Sequence, residues 1–134
     1  MQYWKEDQQT DNRFLLGLLL DTGAAAENFS HLARCFQGWQ SDALRQMARE
    51  SRAQGACLGG IYALVTGEPP RRQVIPPDGG TVQARLKKAY ARALHLLAAL
   101  EGKRTDPEYG PVFQRLAIRQ QEYCRNILEI LGSL

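Results

Sequence analysis

The sequence predicts an all-α protein in which four helices form a bundle, with a long crossover between the second and third helices. In four stretches of the 134 residues, apolar residues recur at steps of three and four, which is the spacing of one helix face. A few residues separate the first stretch from the second and the third from the fourth, whereas residues 68–80 separate the second from the third. This layout is typical of a four-helix bundle with one crossover connection.

The first helix is predicted from about Asp11 to Phe36, and the loop 37–40 breaks it. Ser41 is expected to cap the second helix, because a serine hydroxyl can accept a hydrogen bond from a free backbone N–H of the first turn. The second helix is expected to reach about Thr66, where Gly67 suits the C-cap. The residues expected to face inward are Leu15, Leu18, Thr22, Ala25, Phe29 and Leu32 from the first helix and Leu44, Met47, Ser51, Gln54, Leu58, Ile61 and Val65 from the second.

Residues 68–80 contain four prolines and two glycines, which exclude a helix there. The segment is much longer than a tight turn between neighbouring helices, so it can pass from one end of the bundle to the other. We interpret the basic pair Arg71-Arg72 as part of a solvated loop, with binding of a phosphate or an anionic surface as the alternative.

The third helix is predicted from near Thr81 to near Lys103, and a short loop leads to the fourth. Pro111 suits an early position of the fourth helix, which runs to about Leu131 and stops at Gly132. The residues expected to face inward are Leu86, Ala89, Ala93, Leu97 and Leu100 from the third helix and Phe113, Leu116, Gln120, Tyr123, Ile127 and Ile130 from the fourth.

Size and composition favour a single domain over residues 1–134 and exclude several classes of protein. The net charge of +3 comes without a run of like charges, so we expect no nucleic-acid partner. The apolar segment 14–20 is too short to span a membrane, and the N-terminus does not resemble a signal peptide. Three cysteines without CxxC spacing argue against disulfides and zinc, and we expect Cys57 and Cys124 to be buried thiols in a cytoplasmic protein.

The middle of the bundle carries polar residues where the pattern calls for apolar ones. Ser51 and Gln54 interrupt the inward face of the second helix, and Gln120 and Tyr123 interrupt that of the fourth. Burying such a group without a partner costs about 1–3 kcal/mol. The two matched pairs therefore predict a site at the centre of the bundle.

Two segments resemble the ferritin-like superfamily, and in particular the small rubrerythrin-like bundles of anaerobic bacteria. They are residues 60–70, GIYALVTGEPP, and residues 106–117, DPEYGPVFQRLA. The resemblance covers nearly the whole chain, although the rubredoxin-like CxxC module of full rubrerythrins is absent from the sequence. It implies a ferritin-like four-helix bundle.

The resemblance also implies where a pair of iron or manganese ions would be bound. The family places one glutamate on the first and third helices and a Glu-x-x-His pair on the second and fourth. In this chain those six positions hold Thr22, Ser51, Gln54, Ala93, Gln120 and Tyr123. None is a carboxylate or an imidazole, so we expect no metal cofactor and no peroxidase or ferroxidase activity. We expect a polar hydrogen-bond network instead, formed by all of these residues except Ala93, with an ordered water as a further participant.

Two broad functions follow from this interpretation. The first is a non-catalytic structural, interaction or small-ligand-binding protein, with a small molecule in the former metal space as one form of it. We expect a homodimer, because Tyr3 and Trp4 suit an interface. The alternative is a metal-binding protein of oxidative stress or iron handling that holds iron or manganese through displaced ligands. The candidate displaced ligands are Asp21, Glu27, His31, Glu50 and Glu122.

Overall fold

The computed structural model describes the backbone of residues 2–134 and the side chains of residues 12–134. It contains four helices, and the described residues include no strand. These helices are α1 (Gln2–Ala33), α2 (Trp39–Thr66), α3 (Val82–Glu101) and α4 (Gly110–Gly132). The predicted all-α class, the four helices and the long connection between the second and third are confirmed. The predicted interface role of Tyr3 and Trp4 concerns side chains that lie outside the described residues.

The helices pack so that α1 contacts α2 and α3, while α4 contacts α3 and α2. Two apolar clusters fill the interior. One contains Phe29, Leu32, Leu44, Met47, Leu86, Ile127 and Ile130, and the other contains Leu15, Leu18, Leu58, Ile61, Leu96, Leu100, Phe113 and Leu116. Along α2 and α4, the polar residues Ser51, Gln54 and Gln120 lie between the segments that supply the two clusters.

The predicted inward faces are buried with two exceptions. Val65 and Leu97 are only partly buried, and Leu96 takes the core position expected for Leu97. Leu96 and Leu97 both continue the spacing of three and four between Ala93 and Leu100, so the sequence pattern did not distinguish them.

The loop between α1 and α2 differs from its prediction. α1 already begins at Gln2, and it ends at Ala33 because the next three N–H groups bond to carbonyls three residues back. Gly38, with φ 74°, turns the chain so that α2 begins at Trp39. The prediction of Ser41 as the N-cap is therefore wrong. Its buried hydroxyl donates a hydrogen bond to the Ala33 carbonyl at 2.9 Å and joins the two helices.

The predicted C-cap of the second helix is confirmed, and the structure adds an N-cap at Thr81. Gly67 ends α2 in the left-handed conformation at φ 78°, and its N–H donates to the Ala63 carbonyl. Thr81 caps α3, because its hydroxyl accepts a hydrogen bond from the Ala84 N–H at 3.1 Å. Both ends of the long connection are thus fixed by local hydrogen bonds.

Between these caps the chain runs along the outside of α1 and α2. Pro70 is so close to α2 that a Cβ on Gly59 would lie 3.4 Å from its Cγ, and a Cβ on Gly23 of α1 would lie 3.7 Å from Cδ1 of Ile75. Further along, the Asp78 N–H donates to Oδ1 of the buried Asn28 at 2.7 Å. The crossover therefore runs along α1 towards the C-terminal end of that helix, from the level of Gly23 to that of Asn28.

Asp78 also holds the end of the crossover to α3. Its carboxylate accepts two hydrogen bonds from Arg92 Nη2, at 3.1 and 3.3 Å. The Asn28 amide is also bonded within α1, because its Nδ2 donates to the Ala24 carbonyl at 2.8 Å. We call Asn28, Asp78 and Arg92 the crossover latch.

Two further features of the fold are the burial of the cysteines and the apolar character of the helices. Cys124 is buried as predicted, but the prediction of a buried Cys57 is wrong. Leu58 takes the core position, and Cys57, one residue earlier, turns to the outer side of α2. None of the described helices combines the length and apolar character that a membrane span needs.

Candidate functional site

A chain of hydrogen bonds crosses the centre of the bundle between α2 and α4. Gln120 Nε2 donates to Gln54 Oε1 at 2.9 Å, and Gln54 Nε2 donates to Tyr123 Oη at 2.8 Å. Tyr123 Oη in turn lies 3.5 Å from Glu50 Oε2, to which it donates a weaker bond. We call Gln54, Gln120, Tyr123 and Glu50 the central polar group. It forms because residues three or four apart share one helix face.

The outer end of the central polar group is a cluster of three charged residues. Glu50 Oε2 lies 3.7 Å from Arg119 Nη1, and the same Arg119 atom donates to Glu122 Oε2 at 3.1 Å. The Glu50 side chain is 23% exposed and therefore lies at the rim of the bundle. The Glu50 carboxylate therefore interacts both with the Tyr123 hydroxyl and with the Arg119 guanidinium, and both interactions are favourable for its negative charge.

Tyr123 is held as a neutral phenol. Burial, and then the negative charge of Glu50, raise the pKa of the phenol well above its ordinary value of 10.0. Hydrogen bonding from Gln54 works in the opposite direction but does not cancel these effects. Unless a metal cation lies beside it, the phenol therefore keeps its proton throughout the usual pH range.

The remaining three central residues do not join this hydrogen-bond chain. The Ser51 hydroxyl is buried beside the Tyr123 phenol, yet in the described part of the chain its oxygen meets no partner with hydrogen-bond geometry. Thr22 is buried without a side-chain hydrogen bond to any described residue, and its methyl would lie 3.8 Å from a Cβ on Gly55. Ala93 is a buried member of the apolar cluster that contains Phe29 and Leu32. The structure thus connects Gln54, Gln120 and Tyr123 and adds Glu50, which we had named among the displaced metal ligands.

The five candidate displaced ligands lie in three separate places. Glu27 contacts His31 on the surface of α1 at 3.6 Å, and Asp21 contacts His95 of α3 at 3.5 Å. Glu50 and Glu122 meet at Arg119 on the other side of the bundle, as described above. Within residues 12–134, no three His, Cys, Asp or Glu side chains gather in a way that could hold a metal ion.

The residues at the six family positions do not fit a pair of divalent metal ions. Iron and manganese pairs need anionic oxygen and imidazole nitrogen ligands, whereas these positions supply amides, hydroxyls, a phenol and a methyl group. The described hydrogen bonds already occupy the amide oxygen of Gln54 and the oxygen of Tyr123. Among residues 12–134, the carboxylate in contact with them is that of Glu50, and its charge faces Arg119.

A groove beside the central polar group separates the outer sides of α2 and α4. It has a volume of about 360 Å³, and its walls include Ala53, Gln54 and Cys57 of α2 and Arg115, Leu116 and Arg119 of α4. The exposed thiol of Cys57 lies in this groove. The central polar group can therefore be approached from solvent through the side of the bundle where α2 and α4 face each other.

The sequence pattern did not indicate two contacts between helices. His95 contacts Asp21 because α1 and α3 are neighbours. Glu50 reaches Tyr123 although it lies one residue away from the inward face of α2. No local signal points to either contact, because each joins two helices that are far apart along the chain.

Comparisons with protein-family models, with curated proteins and with solved structures give no significant match to this chain. The ferritin-like resemblance therefore stays a prediction from the sequence, and the structure supports the all-α class.

Proposed function

We propose that this protein is a non-catalytic member of the ferritin-like, rubrerythrin-like bundles that has lost its di-metal site. Its role would be structural, or it would bind a partner or a small ligand. The observation that carries the proposal is the hydrogen-bond chain from Gln120 through Gln54 to Tyr123. Three of the six family positions bond to one another through groups that carry no charge.

Electrostatics support the absence of a metal pair. Two divalent ions would bring four positive charges into an interior of low dielectric, where uncompensated charge is very costly. Glu50 provides one negative charge at the rim, and Arg119 already lies 3.7 Å from it.

Packing supports a structural role for the same residues. α2 and α4 approach each other closely at fewer places than the other neighbouring helix pairs. The amide pair and the phenol bridge this gap with directional bonds, which require one register between the two helices. A purely apolar contact would allow several registers.

The proposal is tested by metal analysis of protein purified from cells grown with added iron and manganese, and again after dialysis against each ion. We expect far less than one metal ion per chain, and no faster oxidation of Fe²⁺ by oxygen than in buffer. Two tightly bound ions per chain, or one held by the displaced ligands, would contradict it.

A variant that restores the family ligands provides a positive control. Its substitutions are Thr22→Glu, Ser51→Glu, Gln54→His, Ala93→Glu, Gln120→Glu and Tyr123→His. If the ferritin-like placement of the six positions is right, the folded variant should bind two Mn²⁺ or Fe²⁺ ions per chain. A folded variant that binds none would show that the six positions do not converge as in that family.

The predicted cytoplasmic homodimer belongs to the same proposal. Leu16 and Leu20 on α1 and Leu94 on α3 are each more than 40% exposed, and the Asp21–His95 contact brings these two helices together. Exposed apolar residues on adjoining helices favour association with a second copy. Light scattering should give twice the 15.0 kDa chain mass, and a monomer at every concentration would contradict this part.

A further inference from the structure

A cavity in the described part of the chain lies between the crossover and the helices α1 and α2. Its volume is about 810 Å³, within the range of small-molecule sites. Small residues form its helical wall, and residues 72–77 of the crossover form the opposite wall. The small residues are Gly23, Ala26, Gly55 and Ala56.

Close packing does not require the two glycines of this wall. A Cβ on Gly23 would lie 3.7 Å from Ile75, and a Cβ on Gly55 would lie 3.8 Å from Thr22, both ordinary contact distances. Glycine inside a helix is less stable than alanine, so each glycine destabilises its helix without a steric need. What the glycines provide here is space in the cavity.

Ser51 gives the same cavity a polar floor. It lines the cavity, is 1% exposed, and has a hydroxyl oxygen without a hydrogen-bond partner among the described residues. A buried hydroxyl in this state is destabilising unless something bonds to it. A polar atom of a bound molecule would remove that penalty.

The exposed edge of the cavity is positively charged. Arg52 of α2 and Arg72 of the crossover line it, and neither forms an ion pair with a described residue. The carboxylate that also lines it, Glu27, is in contact with His31 at 3.6 Å. Two guanidinium groups without partners favour an anionic group at this edge.

We propose that this cavity binds a small molecule that has an apolar body, one anionic group and one further hydrogen-bonding group. Its apolar body would lie against Gly23, Gly55 and Ile75, its anionic group would meet Arg52 and Arg72, and its polar group would bond to Ser51. The inference rests on the small-ligand branch of the proposed function and assigns it a site between the crossover and the helices α1 and α2, which includes Ser51 from the six family positions.

The test uses two fluorescent dyes with folded full-length protein. Anilinonaphthalene sulfonate is an apolar anion with an amine N–H, and N-phenylnaphthylamine is its neutral counterpart. We expect the anionic dye to bind once per chain and more tightly than the neutral one. Absence of binding, or equal affinity for the two dyes, would overturn the proposal.

Two matched alanine variants locate the bound dye. Ala56 lines the cavity, whereas Ala53, also exposed on α2, lines the groove between α2 and α4. Ala56→Leu should weaken dye binding about tenfold or more by filling the cavity, while Ala53→Leu should change it less than about twofold. The reverse order, or equal effects, would place the dye elsewhere and overturn the proposal. Thermal unfolding of both variants shows that each is folded.

Two further variants test the polar contacts, one in the exposed crossover and one at the buried wall of the cavity. Arg72→Gln, in the exposed crossover, should weaken the anionic dye about two- to fivefold and leave the neutral dye unchanged. Ser51→Ala should weaken both dyes, because both carry the N–H. Failure of either pattern would contradict the assigned contacts. Dye binding and metal analysis are independent, so a metal pair would refute the proposed function while leaving the cavity result intact.

Discussion

Replacing Tyr123 with phenylalanine removes one oxygen from the centre of the bundle and leaves the packing in place. The ring still meets Phe29 edge-on, with centroids 5.7 Å apart. The substitution removes the acceptor of the 2.8 Å bond from Gln54 and the donor of the 3.5 Å bond to Glu50. Its main effect is therefore to leave the buried Gln54 amide with one N–H unpaired.

The expected loss follows from that unpaired group. A buried donor without a partner costs about 1–3 kcal/mol, and the long bond to Glu50 adds little because it is at the limit of hydrogen-bond distance. For a chain of this length, the melting temperature should fall by about 3–10 °C. Urea unfolding followed by circular dichroism measures the change in free energy, and an unchanged slope shows that the folded state is intact.

Ser51→Ala is the matched control, because it removes a buried hydroxyl that has no hydrogen-bond partner in the described part of the chain. We expect its free energy of unfolding to be unchanged or up to about 1 kcal/mol higher, since alanine also favours the helix. If Tyr123→Phe were as stable as the unmodified protein, or if Ser51→Ala cost as much, the hydrogen-bond chain would not be what stabilises the centre.

Three further predictions concern pH, the crossover and the thiols. Since the pKa of Tyr123 is raised on folding, its contribution to the free energy of unfolding is complete below pH 10 and is lost as the pH rises further, at up to about 1.4 kcal/mol per pH unit. Urea unfolding between pH 9 and pH 11.5 should show this loss of stability, and the Tyr123→Phe variant should lack it. Asn28→Ala removes both bonds of a buried amide and should cost about 1–3 kcal/mol and speed tryptic cleavage of the crossover, whereas unchanged cleavage would show that the amide does not hold that segment. Cys35 and Cys57 should react quickly with a thiol reagent in native protein, whereas Cys124 should react after unfolding, because it is buried and burial raises its pKa; three fast thiols would contradict the packing around α4.

Much of the fold follows from local patterns. The inward faces could be predicted because a helix repeats every 3.6 residues, and Gly67 because few other residues take a positive φ. The Ser41 cap failed for a tertiary reason, since the hydroxyl bonds to a carbonyl of the preceding helix. A capping residue and a bridging residue have the same sequence signature.

For the centre of the bundle, the sequence predicts which positions face inward but not which side chains bond to one another. Spacing indicates that Ser51 and Gln54 share a face, but it does not determine which of them finds a partner. That outcome depends on side-chain length and on the distance between α2 and α4: the Gln54 amide spans the gap, whereas the Ser51 hydroxyl stops short of a bond. Glu50 belongs to the central polar group for the same reason, because its long side chain reaches inward from the rim to Tyr123.

The crossover latch was missed altogether. Asn28 lies one position before Phe29 on the inward face, among several alanines, and an amide in such a place is an available signal of a buried partner. Its partner Asp78 is fifty residues away, and no periodic pattern connects the two.

The latch also has a consequence for how the chain reaches its folded state. Helices α1 and α2 form one antiparallel hairpin and α3 and α4 form another, so most contacts inside each half join nearby residues and should develop early. Assembly of the two halves requires closure of the long connection, which carries a larger loss of chain entropy. Because Asp78 bonds to α1 and α3 at once, it joins the two hairpins at the point where that closure is completed.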